Sequence, residues 1–122
     1  DQASAIVTET DLAVLSGDDS LTLPLMAVGG QGVVSVVGNI VPADMKAMVE
    51  AALSGDYAAA TARHKKLFPL CRAMFIETNP ISVKTAMMLL GRVNGALRLP
   101  MSPMAEGNAA KLKAALEAYG VT

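Results

Sequence analysis

The chain has 122 residues, a formal net charge of −1, a single cysteine and an apolar fraction of 52%. This length allows one ordinary domain with one core, and the balanced charge argues against a surface that binds nucleic acid. The lone Cys71 excludes a disulfide framework and a CxxC metal site, which fits a reducing compartment.

Two short apolar runs near the N-terminus predict neighbouring parallel strands. Residues 12–16 (LAVLS) and 32–37 (GVVSVV) are rich in branched side chains and end at glycines, which is typical of strands buried on both faces. A helix between them would supply the right-handed crossover that parallel strands require. The tripeptide Gly17-Asp18-Asp19 would then follow the C-terminal end of the first strand.

The segment between these runs, residues 21–30, predicts the connecting helix. Ser20 or Thr22 is a plausible N-cap, and Pro24 is tolerated in a first helical turn. Gly29 is a suitable stop, because glycine readily adopts the left-handed conformation that ends many helices.

After Gly38 the sequence predicts helices only. Asp56 is a candidate cap for the second of them, and Pro69 should kink that helix. Apolar residues recur at helical spacing in each segment. The predicted inward faces are Met45, Met48, Val49, Ala52 and Leu53; then Leu67, Leu70, Met74 and Phe75; then Val83, Ala86, Met87 and Leu90; and finally Leu112, Ala115, Leu116 and Tyr119.

Side chains that could perform covalent chemistry are few. His64 has basic neighbours and no evident triad partner, and Cys71 lies among apolar residues, which favours a buried thiol. No complete dinucleotide fingerprint, phosphate-binding loop or metal-spaced His/Cys set is present. All six lysines fall in the predicted helical stretches and none at a strand end: Lys46, Lys65, Lys66, Lys84, Lys111 and Lys113.

The two strand ends are the candidate binding positions, because ligands of parallel α/β folds sit at the C-terminal ends of strands. For Gly17-Asp18-Asp19 two interpretations stay open. It can be a tight turn in which an aspartate caps the next helix, or Gly17 can let a ligand approach the backbone closely. Val34, at the other strand end, could act only through its backbone carbonyl or its shape.

Four motifs carry a resemblance to a known family. LSGDD, GGQGVVSV, FIETNPISVK and LRLPMSP resemble, in order and spacing, the C-terminal portion of the bacterial dihydrodipicolinate synthase family, over nearly the whole chain. The resemblance implies an α/β fold. Residues 1–55 would hold the last two strands and adjoining helices of a (β/α)8 TIM barrel, and residues 56–122 would form an α-helical C-terminal domain.

The resemblance also implies an activity, that of a lyase of lysine and diaminopimelate biosynthesis in the cytoplasm. In the family, a lysine forms a Schiff base with pyruvate, and aspartate semialdehyde then adds. Val34 and Gly17 match residues at the pyruvate pocket, and Asp18 and Asp19 would lie at its mouth. The expected assembly is a homotetramer, with no metal or other cofactor and no nucleic-acid or membrane partner.

The resemblance places the Schiff-base lysine, in a K-E-A-T-G type motif, before Asp1, together with the family's substrate-binding threonine, tyrosine and arginine. We therefore expect a fragment or processed piece that is inactive alone and needs the N-terminal part of the barrel. Two alternatives stay open: another pyruvate-dependent aldolase such as N-acetylneuraminate lyase, or a non-catalytic barrel piece that serves as an assembly module. No apolar run approaches the about 18 residues of a membrane span, and no signal peptide opens the chain.

Overall fold

The structure, a computed structural model, describes all residues from Asp1 to Thr122. It is mostly helical with one small parallel sheet, so the predicted α/β class is confirmed at this level. The elements are α1 (Gln2–Glu9), β1 (Leu15–Ser16), α2 (Thr22–Ala27), β2 (Gly32–Val33), α3 (Pro42–Leu53), α4 (Tyr57–Ala73), α5 (Ile81–Leu89) and α6 (Glu106–Tyr119). None of these helices combines the length and apolar character that crossing a membrane requires.

The chain divides into two compact units, residues 1–66 and residues 67–122, and the boundary falls inside α4. The first unit contains the sheet and the second contains helices only. The predicted division after residue 55 into a barrel portion and a helical domain stays a prediction.

The predicted parallel pair is confirmed. β1 and β2 run parallel, with Leu15 opposite Gly32 and Ser16 opposite Val33. α2 connects them and contacts both strands. This is the crossover that two parallel strands need, because the chain leaves β1 at one end of the sheet and must enter β2 at the other end.

Both strands are shorter than predicted, with two residues each where the apolar runs have five and six. The second run ends early because the backbone turns after Val34 and forms a 3₁₀ turn at Val37–Asn39. The expectation that both strand faces are buried is wrong for this chain. Leu12 is 68% exposed and Leu15 is 50% exposed, so other residues of this chain leave the apolar side chains of this run uncovered on one side.

The cap of the connecting helix also differs from the prediction. Neither Ser20 nor Thr22 caps α2, whose first residue is Thr22 itself. Instead, the Asp18 side chain accepts a hydrogen bond from the Ser20 N–H and begins a 3₁₀ turn at Asp19–Leu21, which leads directly into α2. The predicted stop is confirmed: α2 ends at Ala27, and Gly29 has a φ of 107°, in the left-handed region that suits glycine.

The first unit is built around the inner faces of α2 and α3, which pack against each other. Pro42 lies in the first turn of α3, where its missing N–H costs nothing, and Asp44 follows it at the positive end of the helix dipole. Of the predicted α3 stripe, Leu53 is the exception, at 61% exposed. Buried apolar residues of this unit include Leu23, Met26, Val37, Ile40, Val41, Met45, Met48, Ala52 and Ala60.

α4 begins as the sequence predicts, because the Asp56 carboxylate accepts the Ala59 N–H at 2.9 Å. Pro69 lies within this helix, which continues to Ala73; the kink predicted there stays a prediction. Leu67, Leu70 and Met74 are each at most 1% exposed and confirm the predicted core face of this stretch.

The prediction that Phe75 belongs to this core face is wrong, because the helical repeat ends before it. Phe75 is 47% exposed. α4 ends at Ala73, and the chain then turns, with the Phe75 N–H donating to the Arg72 carbonyl. A residue beyond the last turn no longer follows the helical repeat, so spacing alone placed Phe75 on the wrong side.

In the second unit α5 packs against α6, and a glutamate supports the start of α6. α6 has Ala105 as its N-cap residue, which has no side-chain acceptor to offer. Glu77 Oε1 accepts the Ala105 N–H at 3.0 Å and the Asn108 side-chain amide at 2.9 Å. α6 ends at Tyr119, and Gly120 follows as its C-cap residue with a φ of 91°.

Candidate functional site

The C-terminal ends of β1 and β2 lie side by side. Beyond the paired residues, the Gln31 N–H donates to the Val14 carbonyl and the Val34 N–H donates to the Ser16 carbonyl, both at 2.8 Å. Gly17 follows β1 and Val34 follows β2. The structure therefore brings these two predicted site residues to one edge of the sheet, where both are exposed, Val34 to 70%.

Gly17 leaves open space at this edge. A Cβ atom added to it would have no heavy atom within 4 Å outside its chain neighbours. Its φ is not among the positive values that favour glycine, so any reason for a glycine here is room beside the backbone. This is the geometry that a small ligand could use to approach the main chain.

Asp18 serves the local turn. Its Oδ1 accepts both the N–H and the hydroxyl of Ser20, each at 2.8 Å. Its backbone is tied to Ser16, whose Oγ accepts the Asp18 N–H and donates to the Asp18 carbonyl. The interpretation of this tripeptide as a capped turn is therefore confirmed for Asp18.

Asp19 points the other way and is buried, with 2% of its surface exposed. Its Oδ1 accepts the Ser35 hydroxyl at 2.5 Å. Its Oδ2 accepts the N–H groups of Val36 at 3.1 Å and Val37 at 2.9 Å. One carboxylate thus joins the segment after β1 to the segment after β2.

Ser35 completes this junction, although it was not among the predicted site residues. Besides donating to Asp19, its Oγ accepts the Gly38 N–H at 2.7 Å. The available signal was its position as the one polar residue in the run GVVSVV, next to Val34. The Ser35 hydroxyl is half-buried among apolar neighbours, where a polar group needs a hydrogen-bond partner, which here is Asp19.

The lysines lie away from the strand ends in sequence and on helices, as predicted. Lys46 is on α3, Lys65 and Lys66 are on α4, and the remaining three are on α5 and α6. Lys84 is half-buried and donates to the Ala96 carbonyl, whereas the other five are exposed. Three of the exposed amines pair with carboxylates: Lys46 with Glu50, Lys66 with Asp44 and Lys113 with Glu117.

The strand-end site therefore offers backbone groups and shape rather than a reactive side chain. Asp18, Asp19, Ser20 and Ser35 all have hydrogen-bond partners within the site. Cys71 is buried at 3% exposed, as expected for a packing thiol. Such a site can bind and orient a small molecule, but any amine nucleophile must be supplied by other residues.

Comparison with known proteins agrees with the motifs. The sequence profile of the family described as the dihydrodipicolinate synthetase family matches residues 2–119. The 4-hydroxy-tetrahydrodipicolinate synthase of Thermomicrobium roseum is 58% identical over 118 residues, which are 95% of this chain and 39% of that protein.

Solved structures give the same result. The dihydrodipicolinate synthase of Aquifex aeolicus superposes with a TM-score of 0.95 at 45% identity, over 98% of this chain and 41% of that one. The chloride-inhibited enzyme of Acinetobacter baumannii, in complex with pyruvate, superposes with a TM-score of 0.94 at 34% identity, over 98% of this chain and 42% of that one. The chain thus spans about two-fifths of the length of these relatives.

Proposed function

Since this chain belongs to the dihydrodipicolinate synthetase family, we propose that it is the C-terminal part of a lyase that condenses pyruvate with aspartate semialdehyde. The reaction would proceed through a Schiff base and serve lysine and diaminopimelate biosynthesis. The observation that carries the proposal is the 58% identity, over 95% of the chain, to a 4-hydroxy-tetrahydrodipicolinate synthase. We further propose a cytoplasmic homotetramer, as the resemblance implies.

β1 and β2 would be the last two strands of a (β/α)8 barrel. Two features support this. The strands are parallel and connected through a helix, as in each unit of such a barrel. Leu12, Leu15 and Val34 also leave apolar surface exposed, which further strands and helices of a barrel would cover.

Pyruvate would bind at the edge where Gly17 and Val34 meet. Barrel enzymes bind substrates at the C-terminal face, and these two residues follow the C-terminal ends of the paired strands. The Val34 main chain would contact the substrate, Gly17 would leave room for it, and Asp18 would lie at the pocket mouth. The related enzyme of Acinetobacter baumannii is known in complex with pyruvate.

The Schiff-base lysine would come from a preceding segment of the complete protein. A nucleophilic lysine needs a dry site that lowers its pKa, so that the neutral amine can attack the keto carbon. Five of the six lysines here are exposed, and Lys84 donates a hydrogen bond to a carbonyl on a loop. None of them offers such an environment.

Borohydride trapping tests the proposal directly. The imine forms when a lysine amine adds to the pyruvate carbonyl and water leaves, and borohydride reduces it to a stable amine. We expect no adduct on the chain alone. We expect a stoichiometric adduct on a chimaera that joins it to the N-terminal part of the Thermomicrobium roseum relative, located by mass spectrometry on a lysine of the added part.

Two results would contradict the proposal. One is a stoichiometric adduct on any lysine of this chain. The other is a folded chimaera that forms no adduct and does not consume pyruvate in the presence of aspartate semialdehyde. Reduction without pyruvate is the control for unspecific modification.

Gly17→Val in the same chimaera is expected to raise the KM for pyruvate while the protein stays folded. The reason is that the added side chain would fill the open space beside the backbone without meeting any atom within 4 Å of its Cβ. Steady-state kinetics and far-UV circular dichroism measure the two effects. An unchanged KM in a folded variant would show that Gly17 does not line the pyruvate pocket.

A further inference from the structure

The buried Asp19 carboxylate has a geometry that a turn cap alone does not require. A cap satisfies N–H groups at the start of its own helix, as Asp18 does for Ser20. Asp19 instead reaches residues 16 to 18 positions away and satisfies groups on the segment after β2. Its three hydrogen bonds all go to residues immediately following Val34.

Together with a backbone hydrogen bond, these bonds hold the Val34–Ser35 peptide from the residues on both sides of it. The Val34 N–H is held by the Ser16 carbonyl at 2.8 Å, and Ser35, the next residue, is held through its hydroxyl by Asp19 at 2.5 Å. Both anchors belong to the segment around the end of β1. The peptide between Val34 and Ser35 is therefore held against the segment that contains Gly17.

We propose that Asp19 and Ser35 are positioning residues, which act on the substrate through the Val34 main chain rather than by touching it. This inference rests on the proposed function, because it needs pyruvate at Val34. The resemblance implied that Asp19 lies at the mouth of the pocket, whereas this inference gives it a supporting role behind the pocket wall. A carboxylate that is 2% exposed and accepts three protein hydrogen bonds serves the pocket wall, whereas Asp18 is exposed.

Ser35→Ala in the chimaera is the test. It removes the donor to Asp19 and the acceptor of the Gly38 N–H, so the segment after Val34 loses its side-chain anchor. We expect the KM for pyruvate to rise about tenfold, which corresponds to a loss of about 1.4 kcal/mol of binding free energy. Binding contacts made equally before and during reaction appear in KM, so kcat should change by a smaller factor.

Three further variants separate positioning from stability. Ser35→Thr keeps the hydroxyl and should restore the KM for pyruvate to within about threefold of the parent. Asp19→Asn keeps the shape but replaces one acceptor by a donor, and should raise KM as Ser35→Ala does. Asp56→Ala is the matched control, because Asp56 also accepts a backbone N–H, at the start of α4. It should reduce stability and leave the KM for pyruvate unchanged.

The outcomes distinguish this inference from the proposed function. If the parent chimaera traps pyruvate and folded Ser35→Ala and Asp19→Asn variants keep the parent KM, the positioning role is wrong and the proposed function stands. An equal rise of KM in Asp56→Ala would also overturn it, because any loss of stability would then have the same effect. A folded parent that binds no pyruvate would contradict both.

Discussion

Replacing Leu70 with alanine is expected to lower the free energy of unfolding of the chain by about 2–5 kcal/mol. Leu70 is 1% exposed, in the part of α4 that belongs to the second unit, and its neighbours in sequence Cys71 and Met74 are buried as well. Truncation removes buried methyl groups and leaves a cavity that the surrounding close-packed side chains refill only in part. Urea unfolding followed by far-UV circular dichroism measures the change.

Leu99→Ala is the matched control for this experiment. The chemical change is the same, but Leu99 is 93% exposed in the loop before α6, so the free energy of unfolding should stay within about 0.5 kcal/mol of the parent. Equal effects of the two substitutions, or a loss below about 0.5 kcal/mol for Leu70, would place Leu70 outside the core. Repeating the measurement at two protein concentrations separates unfolding from association.

Gly30→Ala is expected to destabilise the chain by about 1–3 kcal/mol, the range found when atoms are forced into filled space. A Cβ atom on Gly30 would lie 2.1 Å from Leu25 Cδ2 and 2.9 Å from the Leu25 carbonyl oxygen. The leucine side chain can rotate away, but the carbonyl cannot move freely, because it accepts the Gly30 N–H at 3.0 Å. Relief of the overlap therefore distorts the C-terminal end of α2.

Gly17→Ala serves as the control here, because a Cβ at Gly17 meets nothing within 4 Å. Both changes remove one glycine and add one methyl group, so their effects on the unfolded chain are similar. The difference between the two unfolding free energies then reports the steric overlap alone. A stability of Gly30→Ala equal to that of Gly17→Ala would show that α2 yields at little cost.

Much of the fold was predictable because its signals are local. Asp56 caps α4 through a hydrogen bond to an N–H only three residues further along the chain. Gly120 ends α6 with the backbone conformation that glycine favours. The parallel pair followed from two apolar runs separated by one helix, since that spacing leaves few other connections. The convergence of Gly17 and Val34 at one sheet edge followed from the same pairing.

What could not be predicted depends on contacts between distant residues. β2 ends early where Asp19 takes the N–H groups of Val36 and Val37, and no pattern within residues 32–37 announces this. Nor does the sequence tell which of two adjacent aspartates turns inward, because neighbouring residues in extended backbone point in opposite directions. The sequence therefore does not distinguish Asp18 from Asp19, whereas in the structure Asp18 is exposed and Asp19 is buried.

The acceptor that Glu77 provides to α6 has a consequence for the order in which the second unit folds. Ala105 cannot cap its own helix, and its N–H finds a partner 28 residues earlier in the chain. The first turn of α6 gains that stabilisation only after the intervening loop has closed, which costs chain entropy first. The start of α6 thus depends on a contact with a distant residue. A substitution of Glu77 would weaken the first turn of a helix that begins 29 residues later in the chain.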